Sequence, residues 1–425
     1  MDDSDDIFQH CHVDLNDDGD RFVGIKGDHN NLMVYFPCGY ELPNDENEVR
    51  QEIRDLFNVL AEFTTEDDRV LEIDRNAATI SVSFPIQAYR TVIEYYLERQ
   101  KYYSDNEIVY KRSDSGPINF AMTFKKSNPI ILPNSSTFMF DDYFRMQKSP
   151  QKNQMITRIH KFCVYESFKK LGIIYTPLIP EKPDLMIDPK DQDMINSCIN
   201  LLYEKLYETR NDVDNRLFEA MINMLRYYGS NNDEKQYYFG TDKFEHVWER
   251  LIDKVFGVSK EEKQKYFPRA YWRVFLGKDK NKKRHPLEPD SIMILKDADG
   301  NNEYYVLDAK YYRFGITGSI SNLPNSSDIN KQITYGEFVK KKADGHSPFN
   351  AFIMPYNKSN NLFGVDSDIV NSSVASGDWI DHEREPHEKI QGILIDTKTL
   401  LCRYRTIYND RLKKKLAEEI KKQYD

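Results

Sequence analysis

The clearest hydrophobic pattern in the chain is a pair of short apolar runs separated by a polar turn. The runs cover residues 291–295 and 303–307, and the turn, residues 296–302, contains an Asp-Gly pair. Two β-rich runs of this length around an Asp-Gly turn predict a β-hairpin. The residues that flank the two runs should therefore be neighbours in space.

The pattern upstream predicts an N-terminal α/β module over residues 1–132. A short apolar strand at 32–36 is followed from about Asp45 by a helix with its apolar residues on one stripe. We also expect a hairpin over 70–84 and a tyrosine-rich helix over 86–103. None of these elements carries an obvious chemical cluster, so we predict a recognition or partner-binding role for the module.

A helical connecting region is predicted next, over residues 133–235. Before it, a loop over 115–120 and a strand over 124–132 should complete the N-terminal module. Within the connecting region the apolar spacing has a helical period. The predicted helices lie around 156–171, 194–207 and 213–227.

The last segment, residues 236–425, is predicted to form a sheet flanked by helices. A helix starting at Tyr237 would bury Phe244 and Trp248. The other predicted elements are strands around 270–275, 349–355 and 390–395, a helix capped by Asp328, and a final helix from about Arg411. The predicted fold class is mixed α/β: an N-terminal α/β module, a helical connecting layer, and a C-terminal domain with a central mixed sheet.

Composition and charge bound the class of protein. A chain of 425 residues should hold two or three domains. The net charge of −10 argues against a general nucleic-acid binder, although the loop Lys278–Arg284 is locally basic. The five cysteines include no CxxC pair, which indicates neither a disulfide framework nor a zinc site. We find no signal peptide and no apolar run of membrane-spanning length, so we expect a soluble, cytoplasmic protein that does not associate with a membrane.

The candidate chemistry lies at the ends of the predicted hairpin. Asp290 precedes the first strand, and Asp308 ends the second, so the hairpin would bring the two carboxylates together. Lys310 should share a face with Asp308 because side chains alternate along a strand. Carboxylates on adjacent strands are oxygen ligands that suit Mg²⁺. The ammonium could orient a metal-bound water, lower its pKa, or neutralise charge on a pentacovalent phosphorus.

This arrangement resembles the PD-(D/E)XK nuclease core: Pro-Asp, a hairpin, then Asp-x-Lys. The resemblance implies that Asp290, Asp308 and Lys310 are catalytic and that the two aspartates bind the metal. Nucleases with this core commonly place a third carboxylate on the helix before the first strand. Glu245 is our candidate for that catalytic and metal-binding position. Glu249 shares its side of the helix and stays open as the alternative.

The C-terminal half is similar to LlaJI-type restriction endonucleases and, more distantly, to the nuclease subunit of McrBC-type restriction systems. A weaker block lies upstream at 116–126, and the stronger blocks are Phe244–Glu249, Pro289-Asp290, Asp308–Tyr312 and Lys331–Tyr335. The resemblance makes Gln332 a further catalytic candidate. Gln332 and Tyr335 are closer in sequence than in the QxxxY pattern of related nucleases, which leaves the role of Gln332 open.

The resemblance implies a Mg²⁺-dependent restriction endodeoxyribonuclease that cleaves double-stranded DNA in host defence. It also implies a separate AAA+ GTPase partner, and the chain itself contains no GxxxxGK[ST] phosphate-binding loop. Two alternatives stay open. One is a stand-alone nuclease of DNA repair or mobile elements, and the other is a non-catalytic scaffold that binds DNA or a partner. A neighbouring gene for an AAA+ GTPase would distinguish the restriction nuclease subunit from the stand-alone nuclease.

Overall fold

The computed structural model of the protein describes most of the chain. The described residues are 6–13, 22–27, 32–63, 84–131, 138–140, 142–150, 154–176, 179–230, 237–273, 275–276, 281–283, 286–380, 385–404 and 409–424. Within them helices and strands alternate along the chain, which confirms the predicted mixed α/β class. No helix in these ranges is long and apolar enough to cross a membrane.

The α-helices of the described residues are α1 (Glu46–Phe63), α2 (Ile86–Arg99), α3 (Phe120–Lys126), α4 (Met155–Leu171), α5 (Gln192–Glu208), α6 (Asp212–Gly229), α7 (Phe244–Phe256), α8 (Lys260–Lys263), α9 (Phe314–Thr317), α10 (Ser326–Lys342), α11 (Thr397–Arg403) and α12 (Asp410–Lys421). The strands are β1 (Cys11–Val13), β2 (Val23–Gly27), β3 (Leu32–Phe36), β4 (Asn106–Arg112), β5 (Pro129–Ile131), β6 (Phe138–Phe140), β7 (Phe144–Pro150), β8 (Tyr237–Thr241), β9 (Tyr271–Arg273), β10 (Asn281–Lys283), β11 (Ser291–Lys296), β12 (Asn302–Ala309), β13 (Phe349–Tyr356), β14 (Ile369–Ala375) and β15 (Ile390–Asp396).

The chain folds into two compact units. One unit combines Met1–Ser83 with Gln236–Asp425, and the other is Phe84–Lys235. The first unit is discontinuous because β2 pairs with β8 in a four-stranded sheet of order β1-β3-β2-β8. Gly24 faces Gly240 in that ladder, and a Cβ on Gly24 would lie 2.2 Å from the carbonyl oxygen of Phe239. The predicted first segment, residues 1–132, therefore spans parts of both units.

The larger unit also contains a five-stranded mixed sheet of order β11-β12-β13-β15-β14. The strands β11 and β12 form the predicted antiparallel hairpin, and β13 and β15 continue the sheet in parallel with β12. The strand β15 is buried along its whole length, as expected for a strand inside a parallel sheet. At the far edge β14 runs antiparallel to β15. Strand β14 was not predicted, because its sequence is polar.

Two helices pack against the hairpin strands of this sheet. Helix α10 packs against it through Tyr335 and Val339, which contact Ile292 and Val306. Helix α7 is anchored by the fully buried Trp248, whose indole N–H donates to the carbonyl oxygen of Ile353 at 3.1 Å. Both helices thus have fixed positions next to the ends of β11 and β12.

The other unit, Phe84–Lys235, is built mainly of helices, as the sequence predicts. Helices α2, α4, α5 and α6 pack against one another, and the last three match the predicted helices around 156–171, 194–207 and 213–227. Strands β4 and β7 form an antiparallel ladder that was not predicted, because many residues in both strands are polar.

Three local predictions were wrong. Residues 120–126 form the helix α3 rather than a loop and a strand, because the Asn119 side chain accepts from the N–H of Met122 and caps a helix. Tyr237–Thr241 is a strand that pairs with β2, so the following helix starts only at Phe244. Asn325 caps α10, and Asp328 occupies the third helical position of a capping box.

Some predictions fall outside the described residues. They include the hairpin over 70–84 except for Phe84 itself, and most of the basic loop Lys278–Arg284, of which only the backbone of β10 is described.

Candidate active site

The hairpin places Asp290 and Asp308 together. Ser291 opposes Leu307 in the ladder, so the two aspartates are the next residues beyond this pair on their strands. The backbone N–H of Ala309 donates to the Oδ2 of Asp290 at 2.9 Å. The structure therefore brings together the two carboxylates that the sequence placed at the hairpin ends.

Burial and like charge act on Asp290. The pKa of Asp290 is raised to about 7, chiefly by desolvation and then by the carboxylates of Asp308 and Glu249. The N–H of Ala309 and the ammonium of Lys310 lower this pKa but do not cancel the rise. A carboxylate whose pKa is raised by neighbouring carboxylates lies in a cluster of negative charge. Such a cluster is stabilised by a bound cation.

Lys310 lies between two aspartates. Its Nζ is 2.7 Å from the Oδ2 of Asp308 and 3.0 Å from the Oδ1 of Asp328, and its side chain is 14% exposed. Burial lowers the pKa of Lys310, but the two carboxylates outweigh burial and the net shift is upward. The ammonium therefore stays charged at neutral pH and is fixed in position.

Helix α7 brings Glu249 into the site and leaves Glu245 in solvent. Glu249 is half-buried, and its pKa is raised by burial and by Asp308, against the opposing charges of His246 and Lys310. Glu245, our first candidate from the sequence, is exposed in the first turn of the helix. The two residues share one side of α7 but are separated by a helical turn of about 5.4 Å. Glu249 interacts electrostatically with Asp308 and Asp290.

Gln332 is buried, and its side chain binds a backbone carbonyl group of the sheet. Its Nε2 donates to the backbone carbonyl oxygen of Val306 at 2.8 Å, and the backbone carbonyl oxygen of Gln332 accepts from the Nδ2 of Asn350 at 3.0 Å. Val306 lies on β12 shortly before Asp308. The Gln332 side chain thus connects α10 to the strand that carries the site.

Two neighbours of Gln332 lie closer to the carboxylates. The hydroxyl of Tyr335 donates to the carbonyl oxygen of Glu288 at 3.1 Å, just before Asp290. The Nζ of Lys331 is 4.0 Å from the Oδ1 of Asp308 and 5.4 Å from the centre of the Tyr335 ring. The Lys331 side chain is 43% exposed, so its charge is available to a ligand in solvent.

The donor set suits a hard cation, but its side chains are not in a closed ligand cage. Within the described ranges, no group of three or more His, Cys, Asp or Glu side chains is arranged to hold a metal ion. The Oδ1 of Asp308 is buried and accepts no hydrogen bond, whereas its Oδ2 contacts the ammonium of Lys310. A buried carboxylate oxygen without a donor costs free energy that a cation would recover. The residues present therefore fit a divalent cation in chemistry.

Asp328 was missed as a site residue by sequence reasoning. Its position before an apolar stripe indicated only a helix cap. The ion pair with Lys310 depends on where α10 starts relative to the end of β12, and no local sequence signal encodes that placement.

The chain is similar to proteins of known restriction systems. The family model described as LlaJI restriction endonuclease matches residues 22–374. The chain is 25% identical over 404 residues to the type II restriction enzyme BsuMI component YdjA of Bacillus subtilis (strain 168), which covers 89% of this chain and 81% of that protein. A solved structure of McrB AAA+ hexamers with bound McrC from Thermococcus gammatolerans is similar at 12% identity and a TM-score of 0.35, over 95% of this chain and 83% of that one.

The sequence resemblance to LlaJI-type enzymes is thereby confirmed over most of the chain, and the protein belongs to the LlaJI restriction endonuclease family.

Proposed function

We propose that this chain is the nuclease subunit of a restriction system and that it cleaves phosphodiester bonds of double-stranded DNA with Mg²⁺. The observation that carries the proposal is the meeting of Asp290, Asp308 and Lys310 at the ends of two paired strands, with Glu249 beside them. A hairpin followed by a parallel strand is the layout expected of a PD-(D/E)XK core, and the order β11-β12-β13 supports that assignment.

In this proposal Asp290, Asp308 and Glu249 hold the divalent cation. We assign Glu249 rather than Glu245 as the third ligand because it is half-buried and interacts electrostatically with Asp308 and Asp290. When bound, Mg²⁺ would supply Lewis-acid stabilisation of the scissile phosphate and lower the pKa of a bound water.

The chain's own residues would do the rest of the chemistry. Lys310 carries a fixed positive charge that stabilises negative charge growing on the phosphate oxygens. It stays protonated because two carboxylates raise its pKa, so it serves as an electrostatic group and not as a general base. Lys331, half-exposed on α10, would contact the DNA backbone. Gln332 and Tyr335 would keep β12 and the segment before Asp290 in place.

We infer that a separate AAA+ GTPase works with this chain. The chain contains no GxxxxGK[ST] loop of its own, and the sequence resemblance reaches restriction systems with such a partner. The name of the Bacillus subtilis relative, a component of BsuMI, describes one part of a larger enzyme.

The test is plasmid cleavage by the purified chain with GTP, Mg²⁺ and the candidate GTPase from the same restriction system. We expect cleavage that EDTA abolishes and that Asp308→Ala lacks. Equal cleavage by Asp308→Ala would remove the site from the reaction. Robust site-specific cleavage without partner or nucleotide would support the nuclease activity and refute the requirement for a GTPase partner.

A further inference from the structure

Asp328 divides its two carboxylate oxygens between two different tasks. Its Oδ2 accepts the backbone N–H of Asn325 at 3.1 Å and completes the capping box of α10. Its Oδ1 lies 3.0 Å from the Nζ of Lys310, and its side chain is 15% exposed. The capping task leaves the Oδ1 free for the lysine.

The second task has a purpose only if Lys310 must be held by something other than Asp308. The ammonium now lies 2.7 Å from the Oδ2 of Asp308. In the proposed function, Asp308 also binds a divalent cation, and two positive groups would then share one carboxylate. Two positive groups that contact the same carboxylate repel each other strongly where water is partly excluded. A second anion for the ammonium relieves that competition.

We propose that Asp328 is a positioning residue that holds the ammonium of Lys310 while a divalent cation binds at Asp308. The inference rests on the proposed function and names a residue that this function does not require. Without Asp328, Lys310 has Asp308 as its remaining carboxylate contact and competes with the cation for it.

The simpler reading of Asp328 is a helix cap alone. Loss of a cap lowers the stability of the fold but has no reason to change metal affinity through Lys310. Asn325→Ala is the matched control, because Asn325 caps the same helix and its side-chain oxygen accepts from the backbone N–H groups of Ser327 and Asp328.

The experiment measures Mn²⁺ binding to the full chain without DNA, by calorimetry, as a probe of the divalent site. The variants are Asp328→Asn, Lys310→Met, the double variant and Asn325→Ala, each checked by thermal unfolding. We expect Asp328→Asn to weaken Mn²⁺ binding on the order of tenfold in the parent. In the Lys310→Met background, the factor by which Asp328→Asn weakens Mn²⁺ binding should be at least about threefold smaller, because the competing ammonium is gone. Asn325→Ala should bind Mn²⁺ like the parent.

The outcomes separate this inference from the proposed function. If the parent binds Mn²⁺ and Asp328→Asn binds it equally well, or loses the same factor in both backgrounds, the positioning role is refuted and the nuclease proposal stands. If the parent binds no Mn²⁺, both fail. Should Asp328→Asn not fold, Asp328→Ser keeps a capping oxygen without the charge and is judged by the same criteria.

Discussion

The backbone N–H of Ala309 donates to the Asp290 carboxylate across the hairpin, at 2.9 Å. This bond joins the start of β11 to the end of β12 one position beyond the regular ladder. It fixes the Asp290 side chain toward Asp308 before any ligand binds. The site is therefore organised in advance, at the cost of confining negative charges in one place.

Asp290 should make the metal-free protein less stable as the pH rises. Its pKa is raised from 3.8 to about 7, so the group stabilises the folded state below about pH 4, and this stabilisation is lost as the pH rises toward 7. Asp290→Asn should then raise the free energy of unfolding at pH 8 on the order of 1 to 3 kcal/mol and have little effect at pH 4. Thermal unfolding in EDTA across this range is the measurement. A parent whose stability increases from pH 5 to pH 8 as much as that of the variant would contradict the raised pKa.

Glu249 and Glu245 form a matched pair for identifying the third carboxylate. Glu249→Gln should lower the cleavage rate by about 10² and raise the Mg²⁺ concentration needed, because a neutral amide replaces a ligand. Glu245→Gln should cleave like the parent, since Glu245 is exposed in the preceding turn. Single-turnover cleavage over a Mg²⁺ titration decides between them. The reverse ranking of the two variants would return the assignment to Glu245.

The sequence predicted the hairpin because its information is local. Two apolar runs and one turn determine which residues pair, and the ladder from Ser291 to Lys296 follows that prediction. The choice between Glu245 and Glu249 is different. Both lie on one side of α7, and their distance from Asp290 depends on where Trp248 fixes the helix along the sheet.

Pairings between distant parts of the chain were equally hidden. Strand β2 pairs with β8, although the whole unit Phe84–Lys235 lies between them in sequence. The edge strand β14 was missed because an edge position tolerates polar residues, so its alternation of burial is weak. The contact of Asp328 with Lys310 belongs to the same class, since it joins a helix start to a strand end.

Asp308→Ala should abolish cleavage and keep the fold. Removing this carboxylate relieves repulsion on Asp290, and Lys310 retains Asp328 as its partner. In EDTA the variant should unfold at the same temperature as the parent or a higher one. The parent should gain thermal stability on adding Mg²⁺, and the variant should not. A Mg²⁺-dependent gain of equal size in both proteins would exclude Asp308 as a ligand.

Trp248 should control the site through the position of α7. Trp248→Phe removes the indole N–H that donates to Ile353 and leaves that carbonyl one donor short, at a cost of about 1 to 2 kcal/mol. We expect lower stability together with a higher Mg²⁺ concentration needed for cleavage, since Glu249 follows Trp248 on the helix. Trp272→Phe is the control because that side chain is 63% exposed. Chemical denaturation and cleavage assays of both variants make the comparison, and equal losses in the two would refute the anchoring role.

Lys310 is where the nuclease and scaffold readings differ most. Its ammonium contacts Asp308 and Asp328 and stays charged, so its proposed task is to stabilise charge in the transition state rather than to remove a proton. Lys310→Ala should lower the single-turnover rate by about 10² to 10³ and leave DNA binding nearly unchanged.

Lys310→Arg is expected to recover little of that rate, because a wide planar guanidinium cannot occupy the place of a compact ammonium between two carboxylates. Lys331→Ala is the matched control on α10, since the exposed Lys331 should contribute to binding and salt dependence more than to the chemical step. Cleavage rates and gel-shift titrations of the three variants decide the matter. If both Lys310 variants cleave within about twofold of the parent, its catalytic role is refuted; if binding falls in parallel with the rate, Lys310 acts as a phosphate contact.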